Sequence, residues 1–192
     1  MKNIAIFASG NGSNAEQITK YFLQNPDGKV SLILTNNPKA GVIDRAEKLG
    51  VVIVIFDRNT FYYSDEIVET LKENKIDLVV LAGFLLLVPA NILKAFKGKI
   101  INIHPALLPK YGGKGMFGSH VHETVIAAGE KKSGITIHFV NEKYDDGQII
   151  FQAQVNIENG ETPESLAQKV HKLEYEHFPK VVEQVLLKGD KL

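Results

Sequence analysis

Short runs of Val, Ile and Leu recur along the chain, and between them the apolar positions take the three-to-four spacing of amphipathic helices. This alternation predicts βα units around a mainly parallel sheet, because strands apolar on both faces need helices on both sides. The runs predict seven strands, at about 3–9, 30–35, 51–56, 77–83, 99–104, 134–140 and 148–156. Ser13 and Glu16 have the spacing of a capping box for the first helix, and Gly50 stands where a C-cap would end a helix over 43–49. Thr162 followed by Pro163 predicts the start of the last helical region, which Pro179 is expected to break or kink. The expected fold class is α/β: a Rossmann-like, mostly parallel twisted sheet flanked by helices, in a single domain over 1–192.

One strand breaks the apolar pattern. In Ile100-Ile101-Asn102-Ile103-His104-Pro105, alternation sends Asn102 and His104 to the same face, and Pro105 ends the pairing just after them. Both therefore fall at the carboxyl end of a strand, where open α/β sheets bind ligands. An Asn amide can donate to a developing oxyanion, and a His titrates close enough to neutrality to carry a proton. The alternative is a polar pair that merely satisfies itself at a strand end.

The turn after the first strand, Gly10-Asn11-Gly12-Ser13-Asn14-Ala15, fits the G-x-G-x-x-G/A pattern of dinucleotide sites. Such sites pair it with an acidic residue at the end of the second strand, but Thr35-Asn36-Asn37-Pro38 stands there. What remains is a helix amino terminus suited to a phosphate monoester, or a tight turn that uses glycine for its own sake. Tyr111-Gly112-Gly113-Lys114-Gly115-Met116-Phe117-Gly118 carries no periodicity and predicts a mobile loop, and Lys114-Gly115 lacks the Ser or Thr of an ATP P-loop. After the sixth strand, His138-Phe139-Val140 leads to Glu142, Asp145 and Asp146. These acids are either a carboxylate partner for an imidazole or ordinary solvated turn residues.

Composition narrows the classes further. A length of 192 residues with 44% hydrophobic content suits one domain with a sizeable core. The 22 basic and 22 acidic residues cancel, so no global field favours nucleic acid or an anionic membrane. Without cysteine there are no disulfides, zinc thiolates or thiol nucleophiles, which fits a reducing cytoplasm. Neither a signal peptide nor a bilayer-length apolar run is apparent. His120-x-His122 has a spacing that splays two ligands around a helix, and H-E-x-x-H is absent, so no metal is expected.

Asn102-x-His104 followed by Pro105-Ala106-Leu107-Leu108-Pro109, together with Ser9-Gly10-Asn11-Gly12-Ser13-Asn14 and Ala82-Gly83-Phe84, resembles the folate-dependent formyltransferases. The likeness runs over nearly the whole chain and is strongest to the branch that serves purine synthesis. It implies direct transfer of a formyl group from the co-substrate 10-formyltetrahydrofolate to the amine of glycinamide ribonucleotide, with Asn102, His104 and Asp145 catalytic. By the same match, Gly12, Ser13 and Asn14 hold the ribonucleotide phosphate, and His171, Lys172, Leu173 and Glu174 reach the rest of that substrate. The formylfolate falls to Leu85, Leu86, Leu87, Val88 and Asn102, and to Asn141, Glu142, Lys143, Tyr144 and Asp145. Where relatives often carry a basic residue after Gly-Phe-x, this chain has Leu86. The resemblance implies small-molecule partners only, no metal or nicotinamide, a cytoplasmic location, and a monomer or homodimer. Asp145 is expected to favour the protonated form of His104. The alternatives are a methionyl-tRNA formyltransferase, which adds a carboxyl-terminal domain where this chain ends, a sugar-nucleotide formyltransferase, and a non-catalytic nucleotide-binding module.

Overall fold

In β1 (Lys2–Phe7), Ile4 and Ile6 go to one side of the sheet and Ala5 and Phe7 to the other, all at most 1% exposed. The computed structural model describes residues 1–188. It adds β2 (Gly28–Thr35), β3 (Val52–Ile55), β4 (Ile76–Leu81), β5 (Ile100–His104), β6 (Lys132–Phe139) and β7 (Ile149–Asn156), within a few residues of the predicted spans. Their spatial order is β3-β2-β1-β4-β5-β6-β7. The pairings from β3 to β5 are parallel, and β6 and β7 are added antiparallel.

Two apolar layers result. On one side α1 (Ser13–Leu23), α2 (Val42–Leu49), α6 (Ser119–Ala127) and α7 (Pro163–Lys188) cover Ile4, Ile6, Ile33 and Ile101. On the other, α3 (Arg58–Tyr63), α4 (Glu66–Glu73) and α5 (Ala90–Ala95) cover Phe7, Leu34 and Val79. Phe7, Phe56, Phe61 and Phe84 pack ring to ring in the second layer, with centroids 5.1–6.3 Å apart. Burial of this kind, at about 25 cal/mol per Å² of apolar surface, is what orders the sheet.

Two local expectations are corrected. The capping box does not form: Gly12 is the N-cap, in the left-handed conformation, so Ser13 lies inside α1 and no side chain caps it. The Glu16 carboxylate pairs instead with Arg45 and with Lys20. Pro179 does not break the last helix, which runs unbroken as α7. Its missing N–H removes one ladder bond, but Phe178, Val181 and Val182 on either side are at most 3% exposed, and their packing holds the segment helical. The other two helix signals hold. Gly50 closes α2 at φ 67°, and Thr162 Oγ1 accepts from Ser165 N–H at 3.3 Å.

The order of strands reverses at β1, which has β2 on one side and β4 on the other. The loops leaving β1 and β4 diverge there and open a crevice at their carboxyl ends. Ser9 joins its two walls: its N–H donates to Gly83 O at 3.0 Å, and its hydroxyl accepts from Leu85 N–H at 3.1 Å.

Candidate active site

A cavity of about 720 Å³ opens at this crevice. Its wall includes the turn Gly10 to Asn14, the segment Leu85 to Val88, Asn102 and His104 of β5, and His171 and Glu174 of α7. That volume is ordinary for a small-molecule site.

The turn is built on Gly12. Its φ of 75° suits glycine, and a Cβ there would stand 2.3 Å from the Val42 side chain, so turn and α2 approach as only glycine allows. Past Gly12, the first N–H groups of α1 point out of the helix end, a ready donor set for an anion. Asn14 Nδ2 donates to Glu174 Oε2 at 2.9 Å, tying α1 to α7. Glu174 is 5% exposed, and burial raises its carboxyl above the ordinary range against the opposing effects of Asn14 and His171.

Asn102, His104 and Asp145 come together. His104 is 3% exposed, with Nδ1 3.4 Å from Asp145 Oδ2, and its Nε2–H donates to the carbonyl of Tyr111 at 2.7 Å. Asn102 Nδ2 lies 3.4 Å from Asp145 Oδ1. Because β6 runs antiparallel to β5, the segment after it starts beside Ile100 and must turn back to deliver Asp145, which sits at φ 53°. Gly147 permits the return: a Cβ there would stand 1.6 Å from Phe139 O.

Three contributors had no role in the sequence-based site. His138, the cross-strand partner of Asn102, donates from Nδ1 to Phe139 O at 2.8 Å. Its Nε2 is then free to accept from Asn102 Nδ2 at 3.1 Å, and lies 3.6 Å from Asp145 Oδ1. The signal was present, since Thr136 and His138 interrupt β6 as Asn102 and His104 interrupt β5. The other two are backbone groups of the glycine-rich segment: the Tyr111 carbonyl on His104, and Gly113 N–H, which donates to Asp145 Oδ2 at 2.9 Å. Tyr111 is held in turn through its hydroxyl, which donates to Glu130 at 2.8 Å.

The electrostatics separate the two central groups. Burial pushes Asp145 upward, but the nearby imidazoles of His138 and His104 and the Gly113 N–H outweigh it and hold the carboxyl below its usual value. Burial also dominates at His104 and lowers its pKa, against the raising effects of Asp145 and of the Tyr111 carbonyl. Asp145 therefore acts on His104 in the expected direction, but desolvation of the cation is the larger effect and favours the neutral ring.

Of the other sequence-derived positions, Leu85, Leu86, Leu87, Val88, Lys143 and Tyr144 line the cavity with Gly12, Ser13, Asn14, His171 and Glu174. Asn141, Glu142, Lys172 and Leu173 do not. Leu173 packs instead against the apolar layer under α7. Asp146 bonds Asn141 at 3.4 Å, so the two adjacent acids of this loop face different partners.

The sequence from Lys2 to Val182 matches the Formyl transferase family (residues 2–182). The chain belongs to that family. It is 39% identical to the phosphoribosylglycinamide formyltransferase of Bacillus subtilis, covering 97% of this chain and 95% of that one. To the chloroplastic phosphoribosylglycinamide formyltransferase of Arabidopsis thaliana it is 40% identical over 94% of its own length, but it spans only 64% of that protein. Among solved structures, the phosphoribosylglycinamide formyltransferase from Bacillus halodurans superposes with a TM-score of 0.87 at 39% identity, covering 100% of this chain and 98% of that one. For this formyl transferase chain, the seven-stranded sheet and its flanking helices belong to an architecture shared with that structure.

Proposed function

We propose that the protein transfers a formyl group from 10-formyltetrahydrofolate to the amine of glycinamide ribonucleotide, a step of purine synthesis. The observation that carries this reading is a single cavity whose wall holds the amino terminus of α1, the apolar Leu85 to Val88 segment, and Asn102, His104 and Asp145. An anionic ribonucleotide suits the helix terminus and a flat pterin the apolar segment, and one cavity lets amine and formyl meet at the polar residues.

In the proposed reaction the amine nitrogen attacks the formyl carbon, and the C=O electrons move to oxygen. The tetrahedral oxyanion is met by the Asn102 amide, whose 3.4 Å contact with Asp145 is the bond weak enough to exchange, and by His104 when its Nδ1 carries a proton. Asp145, held ionised, accepts the ammonium proton directly or through water. Collapse restores C=O, breaks the bond to the folate nitrogen and returns a proton there. The 3.1 Å contact with His138 keeps the Asn102 amide oriented throughout. Gly12, Ser13 and Asn14 hold the phosphate, and Glu174 accepts from ribose hydroxyls. One formyltransferase domain over 1–192, a cytoplasmic site of action and a monomeric or homodimeric state complete the reading, which the cysteine-free composition supports for a reducing compartment.

The test is a steady-state assay with 10-formyltetrahydrofolate and three acceptors in parallel: glycinamide ribonucleotide, methionyl-tRNA and an amino-sugar nucleotide. Turnover with glycinamide ribonucleotide exceeding the others by orders of magnitude is expected. Preference for either alternative, or no turnover with any, overturns the reading.

A further inference from the structure

His122 is a buried imidazole that this reaction does not use. It lies on α6, is 3% exposed and lines the same cavity. Its Nδ1 is sealed from solvent without a hydrogen-bond partner. An unpaired buried polar group is destabilising, and such atoms in native proteins generally have a reason. A second sealed and unpaired atom, Asn14 Oδ1, belongs to another residue of the same wall, whereas the third among the described residues, Ser133 Oγ, is not part of it.

The ring's protonation follows from its surroundings. Burial, with smaller effects from the imidazoles of His171 and His104, pushes its pKa down to about 4. A neutral imidazole carries one proton, and placing it on Nδ1 would bury an unpaired donor. The tautomer with Nε2–H leaves Nδ1 as a bare acceptor and turns the other nitrogen into the donor. An uncharged ring is no counter-ion for a phosphate, so the partner it suits is an uncharged oxygen. Its neighbours bound the position: His171 also acts on Glu174, which bonds Asn14 at the amino terminus of α1, and His104 belongs to the proposed reacting centre.

We propose that His122 binds the ribonucleotide between its phosphate and its amine, donating from Nε2–H to an uncharged oxygen of the ribose or glycinamide. This rests on the acceptor being glycinamide ribonucleotide. In His122→Phe the KM for that acceptor rises roughly three- to ten-fold, the range for one neutral hydrogen bond, while the KM for the formyl donor is unchanged. The same factor appears with the dephosphorylated riboside as acceptor. Thermal stability is kept, since the lost nitrogen had no partner. His122→Gln, whose amide can still donate, recovers most of the affinity. In the wild-type protein, ¹⁵N NMR shows the Nε2 signal of His122 shifting on ribonucleotide binding but not with the formyl donor alone, a readout independent of how the variants fold.

An unchanged acceptor KM with an unshifted Nε2 signal refutes the proposal. A loss that disappears with the riboside puts His122 on the phosphate and also refutes it. Equal losses for both substrates with a lowered Tm make the residue structural and overturn it as well. A wild-type protein that does not formylate glycinamide ribonucleotide refutes the functional reading and this inference together, whereas an active wild type with an unaffected His122→Phe variant refutes this inference alone.

Discussion

Replacing Asp145 by Asn removes a charge and keeps the shape. The wild-type carboxylate stands 3.4 Å from His104 Nδ1, a separation worth about 5 kcal/mol of gross attraction to an imidazolium at an effective dielectric constant of about 20. His138, Asn102 and Gly113 share the same carboxylate, so the net effect on His104 is smaller. The sign follows from the competing causes. Burial already holds His104 below its ordinary value and Asp145 opposes that, so Asp145→Asn moves the histidine further down. NMR titration of His104 in wild type and variant measures the shift. Turnover should fall by roughly 10²–10⁴, the usual scale for a lost acid–base group, with ribonucleotide affinity nearly unchanged. The pairing of Asp145 with His104 also predicts that Asp145→Asn combined with His104→Ala costs much less than the product of the single losses. Multiplicative losses together with an unmoved His104 titration would refute the idea that the two residues form one apparatus.

Asn14→Asp sets a negative charge at the amino terminus of α1 beside the proposed phosphate, so isothermal titration should show a large loss of ribonucleotide affinity and little change for the folate; equal losses would contradict the assignment. Gly12→Ala forces a side chain into a left-handed backbone, costing about 1–3 kcal/mol before its overlap with Val42 is counted. Tm should therefore drop by at least several degrees, and an unchanged melt would contradict the packing described. Full transfer activity is expected after exhaustive chelation and dialysis, since Asn102, His104 and Asp145 supply the proposed chemistry; activity restored only by added zinc or NAD would contradict it.

The strands were legible because their pattern repeats in many residues: Ile4 and Ile6 against Ala5 and Phe7 leave little choice for β1. The polar pair on β5 was legible for the converse reason, two interruptions in an otherwise apolar run. Contacts that depend on how strands register were not. Asn102 meets His138 only because β6 returns antiparallel, and Asp145 is brought back to them past Gly147, which in sequence resembles any other loop glycine. Tyr111 and Gly113 act through backbone groups, which leave no trace in side-chain identity. Pro179 shows local propensity overridden by packing, and Glu16 shows a capping residue captured by Arg45 from a neighbouring helix. The direction of the His104 pKa required knowing its burial, which a residue type does not reveal.

Direct transfer within one cavity is the central claim, and the fate of a labelled formyl group tests it most directly. With 10-[¹³C]formyltetrahydrofolate, glycinamide ribonucleotide and excess unlabelled formate, the product should carry the label quantitatively, in a one-to-one ratio with the tetrahydrofolate released. Product that takes up unlabelled formate, or label that appears in free formate while tetrahydrofolate accumulates without product, would contradict it.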